Sequence, residues 1–140
     1  MRDPEGAGAA PNCRVVRGGD PYQGRQGIAY FAGLTGATAG SRAISMVAAT
    51  VPPGGRTKAH LHRGIETAAY VLEGGIEMWF GAELGEMLPA NAGDYAYVPG
   101  DMPHVLVNRS DRPCRAIVAH TAADDQAGIV MLPELDPKVP

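Results

Sequence analysis

Cysteine and long apolar runs are both scarce in this 140-residue chain, and each scarcity removes a class of protein. Two cysteines, Cys13 and Cys114, stand far apart in sequence. They exclude a disulfide-dense scaffold and the C-x2-C pattern of a structural zinc site. The pair reads either as free thiols in a reducing compartment or as one disulfide, with free thiols the expectation in the absence of a secretory segment. The start, Met1-Arg2-Asp3-Pro4-Glu5-Gly6, has no apolar core and does not read as a signal peptide, so a cytoplasmic location is expected. No stretch of about 18 apolar residues occurs, so no membrane-spanning helix is expected. Lys and Arg form no block, and a net charge of −3 is mild, which argues against nucleic acid or an anionic membrane as the main partner. No G-x-S-x-G nucleophile elbow and no G-x-x-x-x-G-K-[ST] phosphate loop is present.

Glycine (19) and proline (12) are plentiful, while helical periodicity is nearly missing. That combination describes many short strands joined by tight turns, and this length suits one domain. Residues 1–20, rich in Gly, Pro, Ala and Arg, read as a flexible arm. A single barrel is expected over 21–132 and a tail over 133–140. Expected strands are Ile28–Phe31, Arg42–Val51, the segment around His60 and His62, Thr67–Glu73, Ile76–Phe80, Glu86–Leu88, Asp94–Val98, His104–Asn108, Cys114–Thr121 and Ile129–Leu132. Gly33–Gly40 reads as a small-residue turn, Pro89–Gly93 as a loop, and Ala122–Gly128 as a loop with room for a short helix. Such a series predicts an antiparallel barrel or double-sheet sandwich.

Three of the four histidines carry the chemical signal. His60 and His62 are two apart, so on a strand both imidazoles share a face and can reach one ion. They lie in Gly54-Gly55-Arg56-Thr57-Lys58-Ala59-His60-Leu61-His62-Arg63-Gly64-Ile65-Glu66, which runs on to Gly74. His104 closes a second segment, Gly93-Asp94-Tyr95-Ala96-Tyr97-Val98-Pro99-Gly100-Asp101-Met102-Pro103-His104, with Asn108 four residues on. Three imidazoles and a carboxylate suit a first-row divalent ion with positions left open.

These segments resemble the two signatures of the cupins, G-x5-H-x-H-x3,4-E-x6-G and G-x5-P-x-G-x2-H-x3-N. Gly54, His60, His62, Glu66 and Gly74 fill the first, and Gly93, Pro99, His104 and Asn108 the second. The resemblance implies an all-β double-stranded β-helix (jelly-roll) barrel. It also implies one divalent metal ion (Fe, Mn, Ni, Co, Cu or Zn) held by His60, His62, Glu66 and His104. Two positions depart from the pattern. Asp101 stands where glycine is usual, and Asp tolerates a left-handed backbone better than most residues. Seven residues separate Glu66 from Gly74 where the pattern has six, so counting back from Gly74 lands on Thr67. A β-bulge can absorb the extra residue and keep Glu66 inward, or the preceding loop absorbs it and leaves three histidines plus water. Glu66 as a ligand is the expectation.

The remaining candidates carry bland readings. His120 falls in no motif and reads as a rim or surface residue. Gln23 and Gln26 read as turn residues that can also reach a barrel mouth. Asn108 is as well suited to a turn as to catalysis. Tyr70, Trp79, Tyr95, Tyr97, Met46 and Met78 read as barrel packing, some of them lining the cavity. The resemblance implies a metal-dependent enzyme on a small organic molecule, with oxygenase-type chemistry expected ahead of polyketide cyclase, isomerase or decarboxylase reactions. A non-catalytic ligand-binding module is the alternative from a different class. A homodimer paired through an edge strand near residues 27–32 is expected.

Overall fold

Along Ser45–Val51 every second side chain is buried, the period of a strand with one face on a core. The short strand His60–His62 repeats it. The computed structural model describes residues 11–140, and among these eleven strands and one short α-helix precede a C-terminal 3-10 helix. In chain order they are β1 (Pro21–Gln23), β2 (Ala29–Leu34), α1 (Gly36–Ala39), β3 (Ser45–Val51), β4 (His60–His62), β5 (Thr67–Glu73), β6 (Gly75–Phe80), β7 (Glu86–Asn91), β8 (Tyr95–Val98), β9 (His104–Val107), β10 (Cys114–His120) and β11 (Ile129–Met131). The 3-10 helix spans Pro133–Lys138. A six-stranded sheet runs β1-β2-β3-β10-β5-β8 and a five-stranded sheet β11-β4-β9-β6-β7, every pair antiparallel. This is the all-β jelly-roll arrangement expected from the sequence.

Two apolar clusters hold the structure. One joins Ile28, Tyr30, Val47, Val51 and Val71 inside the barrel, with the Cys114 side chain among them. The other joins Ala59, Leu84, Val105 and Val107 to Leu135 and Val139 from the chain's end. Cys114 is buried and Cys13 exposed, and both are free thiols, so the disulfide alternative falls away.

Local differences from expectation have physical causes. Residues 1–10 of the expected arm lie outside the described residues, and 11–20 carry no regular structure. Strand β7 runs through Pro89, where a loop was expected. It is the outer strand of its sheet, a place where a residue without an N–H is tolerated. The small-residue turn contains α1, closed by a reciprocal cap: the Thr38 N–H donates to Thr35 Oγ1 (3.3 Å) and the Thr35 N–H to Thr38 Oγ1 (2.9 Å). Residues 122–128 form bends and turns without a helix. Pro133–Pro140, expected as a tail, packs Leu135 and Val139 into the second cluster.

Candidate metal centre

Strand β4 consists of His60, Leu61 and His62, and its pleat turns both imidazoles inward. His104 opens β9 directly across from His60 in the ladder. The three histidines are 3 to 4% exposed, and one ring nitrogen from each lies within 4.8 Å of the others. The His60 and His104 ring centres are 4.3 Å apart, and His62 lies 5.2 Å from His60. The convergence expected from the two segments is thus present.

The donor set fits one divalent transition-metal ion. His60 Nδ1 donates to the Lys58 carbonyl (2.7 Å) and His104 Nδ1 to the Met102 carbonyl (2.9 Å). A carbonyl oxygen only accepts, so each Nδ1 carries the proton and each Nε2 keeps its lone pair for an ion. His62 Nδ1 is buried and makes no well-formed hydrogen bond, the Ala127 backbone being the polar group nearest in effect. Burial pushes His60 down to about 2, with the His104 ring adding to the fall. Burial likewise lowers His104 to about 4 and lowers His62. All three are therefore neutral near pH 7, the form that ligates a metal.

Glu66, expected as a fourth ligand, is not brought to them in this structure. Its side chain is exposed, and its carboxylate accepts a hydrogen bond from the Tyr97 hydroxyl (3.2 Å) outside the barrel. The loop between β4 and β5 takes up the extra residue, and Thr67 points inward in place of Glu66. Val71 and Ala69 follow Thr67 on the same inner face. A register shift between Arg115 and Ala116 does place an irregularity opposite β5, but it lies beyond Val71 and leaves the parity at Thr67 unchanged. Asp101 takes the left-handed backbone expected of it, with φ 66°, and its carboxylate accepts from the Gly64 N–H (2.9 Å).

A cavity of about 80 Å³, measured as the volume open to the centre of a water molecule, lies against the histidines. Apolar residues such as Ile28, Val51, Val71, Met78 and Leu106 make most of its wall. His120, read from the sequence as a rim residue, is 4% exposed and lines this cavity, its ring centre 4.8 Å from that of His62. Burial lowers His120 to about 4. Gln26 also lines the cavity and is fully buried, whereas Gln23 is exposed on β1. Asn108 is a turn residue: its Nδ2 donates to the carbonyls of Val51 (3.0 Å) and Arg112 (2.7 Å), away from the histidines. Of the aromatic and methionine residues expected as packing, Met78 lines the cavity and Trp79 packs on the second cluster. Met46, Tyr70, Tyr95 and Tyr97 are exposed, because their parity turns them to the outer face of the six-stranded sheet. Sequence reasoning missed Asp125, a buried loop carboxylate that accepts from the Tyr22 hydroxyl (2.5 Å) and from Gln126 Nε2 (3.2 Å). No spacing in the sequence announces it. Thr67 was within reach, since the count from Gly74 already pointed there.

Solved structures share this architecture. One is a conserved protein with a double-stranded β-helix domain from Klebsiella pneumoniae subsp. pneumoniae MGH 78578, at 21% identity and a TM-score of 0.58, covering 65% of this chain and 76% of that one. A variant of oxalate decarboxylase from Bacillus subtilis matches at 26% identity and a TM-score of 0.65, covering 81% of this chain. The chain spans 30% of the length of that enzyme. A protein from Thermotoga maritima, described as a predicted oxalate decarboxylase, matches at 19% identity and a TM-score of 0.65, over 78% of this chain and 99% of its own. No curated protein matches the chain in sequence. The family described as "Cupin domain" matches residues 47–120, which contain all four histidines and more than half of the sequence. With the jelly roll and the inward-facing imidazoles agreeing with that match, this chain belongs to the cupin family.

Proposed function

We propose that this cupin is a divalent-metal-dependent enzyme acting on a small organic molecule, with oxygenase-type chemistry as the leading reading. The observation that carries it is a cluster of three neutral imidazoles, with no carboxylate among the residues lining the cavity. Three nitrogen ligands leave more than one position of a transition-metal ion unfilled, enough for a substrate oxygen and dioxygen together. A bound iron or copper ion supplies Lewis acidity and one-electron chemistry with dioxygen. The chain's own residues do the rest. His60 and His104 are held in one tautomer by the Lys58 and Met102 carbonyls, which fixes where their lone pairs point. The apolar wall keeps bulk water off a reactive centre and favours a small organic substrate. No Lys, Arg, Asp or Glu lines the cavity, so proton movement there falls to neutral groups such as His120.

A metal-dependent decarboxylase is the second reading, supported by the 26% identity to oxalate decarboxylase over most of this chain. Elemental analysis of the purified protein, together with oxygen uptake and carbon dioxide release measured on a panel of small acids, separates the readings. Redox-active metal with substrate-dependent oxygen uptake supports the oxygenase. Carbon dioxide release without net oxygen uptake supports the decarboxylase. Ligand binding without turnover of any panel member would reduce the site to a binding module. The reading includes a homodimer, supported by the exposed apolar residues on the outer sheet face.

A further inference from the structure

The barrel wall facing the three imidazoles holds polar atoms that no protein group satisfies. Strand β10 pairs with β3 on one side and β5 on the other, which sets His120 beside Ser45 and Thr67 in one rung of the ladder. All three side chains turn inward, with exposures of 1% for Ser45, 4% for His120 and 8% for Thr67. Ser45 Oγ, His120 Nδ1 and Thr67 Oγ1 are buried and make no hydrogen bond. Buried polar atoms in folded proteins are nearly always bonded, so three orphans in adjacent strands of one rung call for a ligand. Thr67 and His120 both line the cavity, and the His120 ring meets the His62 ring across the interior.

Charge indicates the kind of ligand. Neutral imidazoles leave the double charge of a divalent ion to other groups: Glu66 lies outside the barrel, no Asp or Glu lines the cavity, and the buried Asp125, whose charge reaches His62 and His120, offsets only one of the two charges. An uncompensated charge in an apolar interior is costly, so an anion is favoured there. Thr67 stands at the count from Gly74 where the family pattern places its carboxylate. Threonine at that position removes a negative charge and opens space beside the histidines.

We propose that Thr67 and His120 form a subsite for a carboxylate ligand, the metal taking one carboxylate oxygen while the Thr67 hydroxyl and the His120 ring N–H donate to the other. Ser45 is the cross-strand neighbour of His120 in the same rung and does not itself line the cavity. This rests on the three-histidine metal centre proposed above, and the ligand's carboxylate there replaces the one the chain does not provide.

The test uses the full chain loaded with cobalt(II), whose visible absorption reports changes in its ligands, titrated separately with acetate and with chloride. Chloride can coordinate the ion but carries no further acceptor atom for Thr67 and His120. Thr67→Val and His120→Phe should each retain one cobalt per chain and near-native chloride affinity, while acetate binding weakens about tenfold. Thr67→Ser, which restores the hydroxyl, should bind acetate as the parent does. Unchanged acetate affinity in both Thr67→Val and His120→Phe, with cobalt retained, overturns the subsite. So does Thr67→Ser behaving like Thr67→Val. Loss of cobalt from His120→Phe would make His120 a ligand and overturn the proposal in a different way. Failure of the unaltered chain to bind cobalt would sink the metal centre itself, a separate and recognisable outcome.

Discussion

His60 and His104 each spend the Nδ1 proton on a backbone carbonyl, so the only lone pair either can offer an ion is on Nε2. Removing one of them takes away a third of the nitrogen donors at a buried point where no water-exposed side chain stands near enough to substitute. His60→Ala and His104→Ala are therefore expected to lose the ion, by at least about tenfold in affinity, measured as metal per chain after dialysis. Glu66→Ala should keep its metal, since that carboxylate meets Tyr97 at the surface, and should cost less than about 1 kcal/mol of stability. Loss of metal from Glu66→Ala would show that the β4–β5 loop rearranges when the ion binds. The contrast between these residues also shows what a sequence discloses at this scale. Two histidines separated by one residue keep the same parity whatever precedes them, so their shared face was legible. Glu66 and Thr67 differ by one position, and which of them faces inward depends on where an extra loop residue is absorbed. His120 was illegible for a related reason: its spacing to the other histidines is set by strand pairing across the barrel, not by the chain between them.

At the scale of elements, strands bounded by turn glycines were the most legible. Thr67–Glu73 ends at Gly74, whose φ of 78° and close approach to the Pro113 carbonyl admit no side chain. The 3-10 helix at Pro133–Lys138 was hidden because its local signals, a leading proline with Glu134 and Asp136 before Lys138, are offset by Pro137 inside a six-residue span. It contains two prolines, and it forms because Leu135 and Val139 find a place beside Ala59, Leu84 and Val105. Its charged residues add anchors: the Ala59 N–H donates to Asp136 Oδ1 (2.7 Å), and Arg56 donates to the Asp136 carbonyl (3.1 Å). That N–H belongs to the residue next to His60, so the segment braces the strand carrying two of the imidazoles. Leu135→Ala is expected to cost about 2–4 kcal/mol, read as a lower denaturant midpoint in urea. If the helix were a loosely attached tail, the midpoint would stay where it is.

The molecule as a whole concentrates its histidines inside and three of its five tyrosines outside, and each arrangement has a measurable consequence. Burial holds His104 and His120 near 4 and His60 near 2, all below the ordinary value of 6.5. The unfolded chain therefore takes up protons that the folded one refuses once the pH falls below about 6.5, and stability must drop from there toward pH 4. Each histidine contributes a slope of about 1.4 kcal/mol per pH unit within that window. Chelator-treated protein should thus unfold at clearly lower urea near pH 5 than near pH 7.5, and equal midpoints would contradict buried neutral imidazoles. The outer face tells a different story. Strands β3, β10, β5 and β8 are adjacent, and they present Met46 (50% exposed), Leu72 (46%), Tyr97 (56%) and Tyr95 (82%) on one surface. Tyr70 stacks at a tilt on Tyr95 with ring centres 4.8 Å apart, extending the apolar area to the β8 edge. Exposed apolar residues clustered on one sheet face are a common mark of an interaction surface. Under the homodimer proposed above, a second copy of the chain would cover this face through a two-fold contact. This surface differs from the edge near residues 27–32 that the sequence suggested, where β1 already pairs with β2. Light scattering should return twice the 14.6 kDa chain mass, and Tyr95→Glu should shift the population toward monomer without altering metal content. A monomer from the unaltered chain would leave the outer face uncovered and the dimer refuted.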